Sequence, residues 1–261
     1  MEERVLGRYD AAAIRDLFAA VGVLQALEQK GFGELTVALQ TVGRPLPHIV
    51  LSGRKGGACY LLLDACVGEA VIRPDWFERR GYAMERAIDL AVVHWVREQD
   101  PTAPFPSDRP RLPLQRHPGL GVLRRAFRVV AQMASELGKD GVANVPKFFH
   151  DGVIFFRSRL FLFMDGEEQG RFEALVRDLR GLPLGDASLA LAGGCVRDER
   201  GELARWSSGY QVFPISPSLS AYFHSDIYAA QVAATLDRSR FLCDRVAVTR
   251  TRALVAAASE V

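Results

Sequence analysis

The chain has 261 residues, of which 49% are hydrophobic and 25% are charged, and its formal net charge at pH 7 is +2. This is the composition of an average globular protein, so a wholly disordered chain is excluded. The almost neutral charge gives no strong signal for nucleic acid as a partner. Arginine supplies most of the positive charge, a bias typical of a GC-rich, bacterial-like genome.

The cysteines and the N-terminal residues indicate in which cellular compartment the protein is expected. Cys59, Cys66, Cys195 and Cys243 form no Cys-x-x-Cys motif and have no zinc-site spacing, which favours free thiols in a reducing cytosol. The charged start of the chain is not followed by the apolar segment of a signal peptide. Because no apolar run is long enough to span a bilayer, we expect a soluble, cytoplasmic protein.

Residues 1–100 predict a helix, an antiparallel meander and a second helix. Apolar residues recur at helical spacing over 10–29. Alternation over 35–39 and apolar runs at 48–52 and 59–72, separated by glycine-rich turns, predict three antiparallel strands. The spacing over 75–98 predicts a long helix.

A proline-rich segment at 100–118 cannot be a central strand or helix, so the main boundary is placed there. After it the pattern predicts a helix at 123–137, a strand at 142–145, a helix at 148–156, a strand at 160–164, helices at 167–180 and 184–192, a hairpin at 195–206, a strand at 210–215 and mostly helical structure over 217–242. The expected organisation is therefore 1–100, then 101–165, then a C-terminal region at 166–261, with all three possibly packed as one domain.

The motif with most chemical content is Arg116-His117-Pro118-Gly119-Leu120-Gly121, directly before a predicted helix. Glycines at 119 and 121 let backbone N–H groups point outward, and the helix adds unpaired N–H groups and the positive end of its dipole. Arg116 and Arg124 add positive charge. We therefore predict an anion site formed by Arg116, Gly119, Leu120, Gly121 and Arg124, although a plain helix-entry turn would have the same sequence.

This Arg-x-x-Gly-x-Gly step resembles the pyrophosphate loop of the GNAT acyltransferase superfamily, and the predicted helix, strand, helix and strand after it follow that family's order. The resemblance covers about residues 112–164. It implies a mixed α+β fold: a GNAT-like central mixed sheet, split into a V and flanked by helices, with an additional C-terminal α+β region. It also implies acetyl-CoA or a longer acyl-CoA as cosubstrate, with the pantetheine arm in the opening of the V.

Two of the departures of the sequence from the family concern the candidate site. The strand expected before the loop falls on 109–114, which contains two prolines. The tyrosine that often serves as general acid maps near Phe155 or Phe156, which cannot donate a proton. The leading hypothesis is an acyl-CoA-dependent N-acyltransferase acting on a small-molecule or protein amine. The alternatives are a noncatalytic GNAT-like scaffold or partner-binding module and a metal-dependent hydrolase. Besides the amine acceptor, a second copy of the chain in a homodimer is an expected partner.

Three residues are candidates for catalysis. Glu69 interrupts an apolar strand, and His150 is followed by Asp151, so Glu69 or His150 could accept the amine proton and Asp151 could orient the imidazole. Exposed or capping roles would explain the same residues. No His or Cys spacing indicates a metal site, so none is predicted.

Overall fold

The computed structural model describes residues 3–41, 43, 45–106, 111–113, 115–157 and 161–258. The chain forms two compact units. Unit 1 comprises the residues up to Pro104 together with His117–Asn144 and Pro214–Leu219, and unit 2 comprises Phe105–Arg116, Val145–Phe213 and the residues from Ser220 onward. Helices and strands occur in both units, which confirms the predicted mixed α+β class.

Unit 1 contains a mixed sheet with helices against it. Its elements are α1 (Ala11–Ala20), α2 (Val23–Glu28), β1 (Gly33–Gln40), β2 (His48–Lys55), β3 (Ala58–Ile72), α3 (Pro74–Glu78), β4 (Ile88–Glu98), α4 (Leu123–Glu136) and β5 (Gly141–Asn144). Strands β1 to β5 are hydrogen-bonded neighbours in chain order; β1 to β4 are antiparallel, and β5 is parallel to β4. A parallel pair needs a crossover connection, and α4 lies in that connection.

Local sequence explains how the first elements of unit 1 form. The Asp10 side chain accepts a hydrogen bond from Ala13 N at 2.8 Å and so caps α1. Gly56 and Gly57 both have positive φ, the conformation of a tight hairpin turn, and they connect β2 to β3. The predicted meander over 35–72 is therefore confirmed. One face of the sheet packs against α1, α2 and α4 through Phe18, Leu27 and Met133, among other buried residues.

The predicted helix over 75–98 is wrong. Only α3 is helical in this stretch, and β4 follows it from residue 88. The β-branched residues Val92, Val93 and Val96 favour a strand, and β4 gains partners on both sides, β3 along its length and β5 over part of it. The strand expected at 109–114 is not observed at residues 111–113, and residues 109, 110 and 114 lie outside the described residues.

Unit 2 combines helices with short strands. Its elements are α5 (Phe149–Arg157), β6 (Leu162–Phe163), α6 (Gly166–Asp178), α7 (Leu184–Ala192), β7 (Val196–Asp198), β8 (Gln211–Pro214), α8 (Pro217–Phe223), α9 (Asp226–Arg238), β9 (Phe241–Cys243) and α10 (Arg245–Ala258), although the chain from Pro214 to Leu219 belongs to unit 1. β6 pairs with β8 and β7 with β9, both antiparallel. Helices α6 and α9 pack closely, since a Cβ at Gly170 would lie 2.4 Å from Val232 O.

Most predicted elements of the second half are confirmed, with two qualifications. The strand predicted at 160–164 is observed as β6, and residue 160 lies outside the described residues. The helical stretch predicted over 217–242 divides into α8 and α9 and then gives way to β9. In the part of the chain that the structure describes, no helix combines the length and apolar character needed to cross a membrane.

Candidate functional site

The most distinctive feature of unit 1 is the point where β4 and β5 stop pairing. Their parallel register runs from Leu90 opposite Gly141 to Val93 opposite Asn144. Immediately beyond, β4 has a bulge: Val93 and Trp95 face consecutive residues of β3, so His94 is the extra residue. A bulge bends its strand and increases the local twist. Residues 94–98, called here the β4 edge, therefore have no described strand partner on the side of β5.

Asn144, the last residue of β5, lies where this pairing ends. Its side chain is 4% exposed, and neither Oδ1 nor Nδ2 has a hydrogen-bond partner among the described residues. A buried amide left unsatisfied costs about 1–3 kcal/mol. Such a group requires an explanation, and a ligand that carries amide groups would provide one.

The predicted anion loop leads from the proline-rich segment into α4, and Glu98 at the end of β4 contacts it. The Glu98 carboxylate accepts hydrogen bonds from the backbone N–H of Gly121 at 3.3 Å and of Val122 at 3.0 Å. Burial raises the pKa of Glu98, while these hydrogen bonds and the charge of Lys30 act in the opposite direction. A carboxylate of the same chain thus binds the backbone N–H groups that lead into α4, those of Gly121 and of the N-cap residue Val122.

Both glycines of the loop have a structural role in this contact. A Cβ at Gly119 would lie 3.3 Å from Glu98 Oε1, closer than nine in ten real Cβ contacts, so Glu98 would have to shift by a few tenths of an ångström. Gly121 has φ +74°, a left-handed conformation that side chains other than glycine rarely adopt. The Gly-x-Gly pattern therefore fits a loop that closes around Glu98.

The other predicted members of the anion site have different surroundings. Arg116 and Arg124 are exposed, and neither forms an ion pair within the described residues. The Leu120 side chain is 2% exposed and belongs to the core of unit 1. Arg116 is assigned to unit 2, whereas Gly119, Gly121 and Arg124 belong to unit 1.

Glu69 lies far along β3 from this loop. Leu63 is the β3 residue opposite Glu98, and Glu69 is six positions further on, about 20 Å at the rise of a strand. Its carboxylate is exposed and forms an ion pair with Lys139 Nζ at 2.5 Å. The structure therefore does not bring Glu69 to the predicted loop.

His150 and Asp151 belong to unit 2, at the start of α5. The His150 ring is buried, with Nδ1 2.8 Å from Ser188 Oγ and Nε2 3.3 Å from Asp151 Oδ1. Burial lowers the pKa of His150, and the charge of Asp151 opposes this effect. Asp151 also accepts a hydrogen bond from Phe148 N at 2.9 Å. Because both ring nitrogens are engaged, these contacts fit a neutral, structural imidazole.

The phenylalanines at the position of the family's tyrosine also have packing roles. Phe156 packs edge-on against Phe172 at 5.2 Å between ring centroids, and Phe155 packs against Phe161 at 5.1 Å. Phe172 lies in the core of unit 2. The aromatic residues of α5 thus serve the core, and no proton donor occupies their positions.

A third titratable pair, on the sheet of unit 1, was not predicted from the sequence. His48 Nδ1 lies 2.6 Å from Asp64 Oδ1, and Arg97 Nη2 lies 3.9 Å from Asp64 Oδ2. A carboxylate accepts hydrogen bonds, so Nδ1 is the donor to Asp64, and Nε2 is the ring nitrogen that Asp64 does not bind. This is the pattern of an imidazole oriented by a carboxylate.

The register places this pair near the β4 edge. His48 is opposite Cys66, and Cys66 is opposite Trp95, so the three side chains share one face of the sheet. Two strand spacings separate the backbones of His48 and Trp95, about 10 Å. A substrate group of ordinary side-chain size could span that distance.

Comparison of the sequence with models of known protein families gives no match, and comparison with curated proteins gives none either. The candidate site therefore depends on its own geometry. Among the residues that the structure describes, no three His, Cys, Asp or Glu side chains are grouped as metal ligands would be. The metal-dependent hydrolase thus has no supporting cluster in that part of the chain.

Proposed function

We propose that the protein is an N-acyltransferase that takes its acyl group from a pantetheine thioester such as acetyl-CoA. The observation that carries this proposal is the end of β4–β5 pairing at Val93 and Asn144, beside the bulge at His94. The pantetheine arm contains two amides. It can pair with the β4 edge as an added strand would, and beside that edge lies the buried Asn144 side chain, whose amide has no hydrogen-bond partner among the described residues.

The order of elements also supports the proposal. The loop at 116–121 is followed by α4, β5, α5 and β6, the loop, helix, strand, helix and strand that the GNAT resemblance implies. Strand β4 precedes the loop, as the resemblance requires. Strand β5 ends at Asn144 while β4 continues to Glu98, so one edge of β4 beyond Val93 has no described strand partner, as an opening for a ligand would need.

In the proposed reaction, the acceptor amine attacks the thioester carbonyl, a C–N bond forms, the C–S bond breaks and the thiol leaves with a proton. Backbone N–H groups of the β4 edge would polarise the carbonyl oxygen. His48, oriented by Asp64, would accept the amine proton at Nε2. Glu69 and His150 are less suited, because one is paired with Lys139 and the other is buried with both nitrogens engaged.

The test is hydrogen–deuterium exchange of the full chain with and without saturating acetyl-CoA or acetyl-pantetheine. We expect slower exchange of the amides of residues 94–98 and upward shifts in melting temperature. A folded protein that binds neither thioester would overturn the proposal.

A noncatalytic thioester-binding module is the second candidate. It is favoured by the packing of Phe155 and Phe156, which leaves no proton donor at that position of α5. Assays against a panel of primary amines separate the two candidates: thioester binding without acyl transfer would favour the module, and release of free thiol that depends on an amine would favour the enzyme.

A further inference from the structure

We infer that Glu98 excludes a pyrophosphate from the Gly119–Gly121 loop, so that the protein recognises an acyl donor by its pantetheine arm and not by its nucleotide. This inference rests on the proposed function. It concerns which part of the donor is bound, and hence the class of donor: a pantetheine thioester in which the nucleotide adds no affinity.

The hydrogen bonds of the loop oppose the binding of a pyrophosphate. A pyrophosphate at a helix N-terminus is held by the first backbone N–H groups, which have no partner inside the helix. In this chain the N–H groups of Gly121 and Val122 already donate to the Glu98 carboxylate. A phosphate oxygen would have to displace that carboxylate to take the same donors.

The negative charge of Glu98 also opposes the binding of a pyrophosphate. A carboxylate and a pyrophosphate are both anions, and like charges a few ångströms apart repel. Glu98 is partly buried, so water screens its charge less than that of an exposed residue. The carboxylate already complements the positive end of α4, which further reduces the attraction for a second anion.

The conformations of Gly119 and Gly121 favour the contact between the loop and Glu98. Gly119 allows the close approach of Glu98 Oε1, and the positive φ of Gly121 turns the chain into α4 so that the next N–H also reaches the carboxylate. Gly119 and Gly121, which in the sequence predict an anion site, thus accommodate the carboxylate of Glu98, an anion that belongs to the chain itself. The loop donates its hydrogen bonds to the side chain of Glu98, whereas the β4 edge would bind a ligand through its backbone groups.

The test compares three ligands by calorimetry on the full-length chain: acetyl-CoA, acetyl-pantetheine and S-acetyl-phosphopantetheine, which carries a single terminal phosphate. For the unaltered protein we expect dissociation constants that agree within about threefold. In Glu98→Gln and Glu98→Ala we expect acetyl-CoA alone to bind more tightly, by about two- to thirty-fold, the range for an anion at a helix N-terminus. Glu78→Gln, an exposed carboxylate in α3, is the matched control and should change nothing.

The outcomes separate this inference from the proposed function. If acetyl-CoA binds the unaltered protein at least tenfold more tightly than acetyl-pantetheine, the inference is overturned and the proposed function stands. If neither thioester binds, both fail. If phosphopantetheine binds better than pantetheine but CoA does not, the terminal phosphate is recognised, and the donor is a phosphopantetheine carried by something other than the nucleotide. Circular dichroism of each Glu98 variant confirms that it is folded, and the two variants together guard against one of them failing to fold.

Discussion

Replacing Asn144 by valine should stabilise the fold and weaken thioester binding at the same time. The Asn144 amide is buried at the end of β5 with neither of its polar atoms hydrogen-bonded in the described structure. In a purely structural role, a buried asparagine contributes hydrogen bonds, and its replacement lowers stability. Here the amide has no such bonds to lose, so the two roles predict opposite signs.

The magnitudes follow from the unmet hydrogen bonds. An unsatisfied buried amide costs about 1–3 kcal/mol, and valine removes that cost while suiting a strand. The free energy of unfolding should therefore rise by up to about 3 kcal/mol, with about 2–4 °C in melting temperature for each kcal/mol. Two lost hydrogen bonds to a ligand would weaken acetyl-pantetheine binding by about 5- to 150-fold.

Urea denaturation followed by circular dichroism measures the stability, and calorimetry with acetyl-pantetheine measures the affinity. Thr36→Val, at an exposed position in β1, is the control for the intrinsic strand preference of valine. If Asn144→Val is less stable than the parent protein and its affinity for acetyl-pantetheine is unchanged, both expectations are refuted. Asn144 would then have a structural partner, and the β4 edge would lose its principal support as a binding site.

Three further predictions concern other sites. His48→Asn should lower kcat for acyl transfer by about a hundredfold or more with little change in KM; an unchanged kcat would exclude His48 as the base. Ser188→Ala should cost about 1–3 kcal/mol in urea denaturation, because it leaves buried His150 Nδ1 unpaired, and no loss would mean that the contact is unimportant. Burial would raise the pKa of Asp140, but hydrogen bonds from Arg86, Asp89 N and Ser216 outweigh it and hold that pKa below its usual value. Ionised Asp140 therefore stabilises the fold fully above the pKa that this group has in the unfolded chain, and this stabilisation is lost as the pH falls through the lower pKa of the folded protein. Acid titration should show this loss of stability in the parent protein and not in Asp140→Asn.

The meander of unit 1 was predictable from the sequence because its signals are local. Alternating apolar residues and the Gly56–Gly57 turn specify strands and a hairpin without reference to the rest of the chain. Strand β4 was not predictable in this way, because Leu90, Val93 and His94 also have helical spacing. Pairing with β3 and β5 decides between the two structures, and the partners of a strand are not a property of its own sequence.

The His48–Asp64 pair could not be predicted from the sequence, because it depends on the register of two strands. Counting outward from the turn, Lys55 is opposite Ala58, and an unbroken register would place His48 opposite Ala65, with its side chain on the face away from Asp64. A bulge between Leu51 and Ser52 shifts the register by one, so His48 faces Cys66 instead and shares a face with Asp64. A single extra residue thus creates the pair.

The loop before α4 shows why a short motif does not identify its own ligand. Two glycines before a helix indicate that an anion approaches the first N–H groups of that helix, but the anion can be a bound phosphate or a carboxylate of the chain. Here the deciding residue is Glu98, which lies outside the motif and reaches the loop because β4 ends beside it. Whether such a loop holds a nucleotide thus depends on the charge at the end of the preceding strand, and a neutral residue at that position would leave the same glycines open to a pyrophosphate.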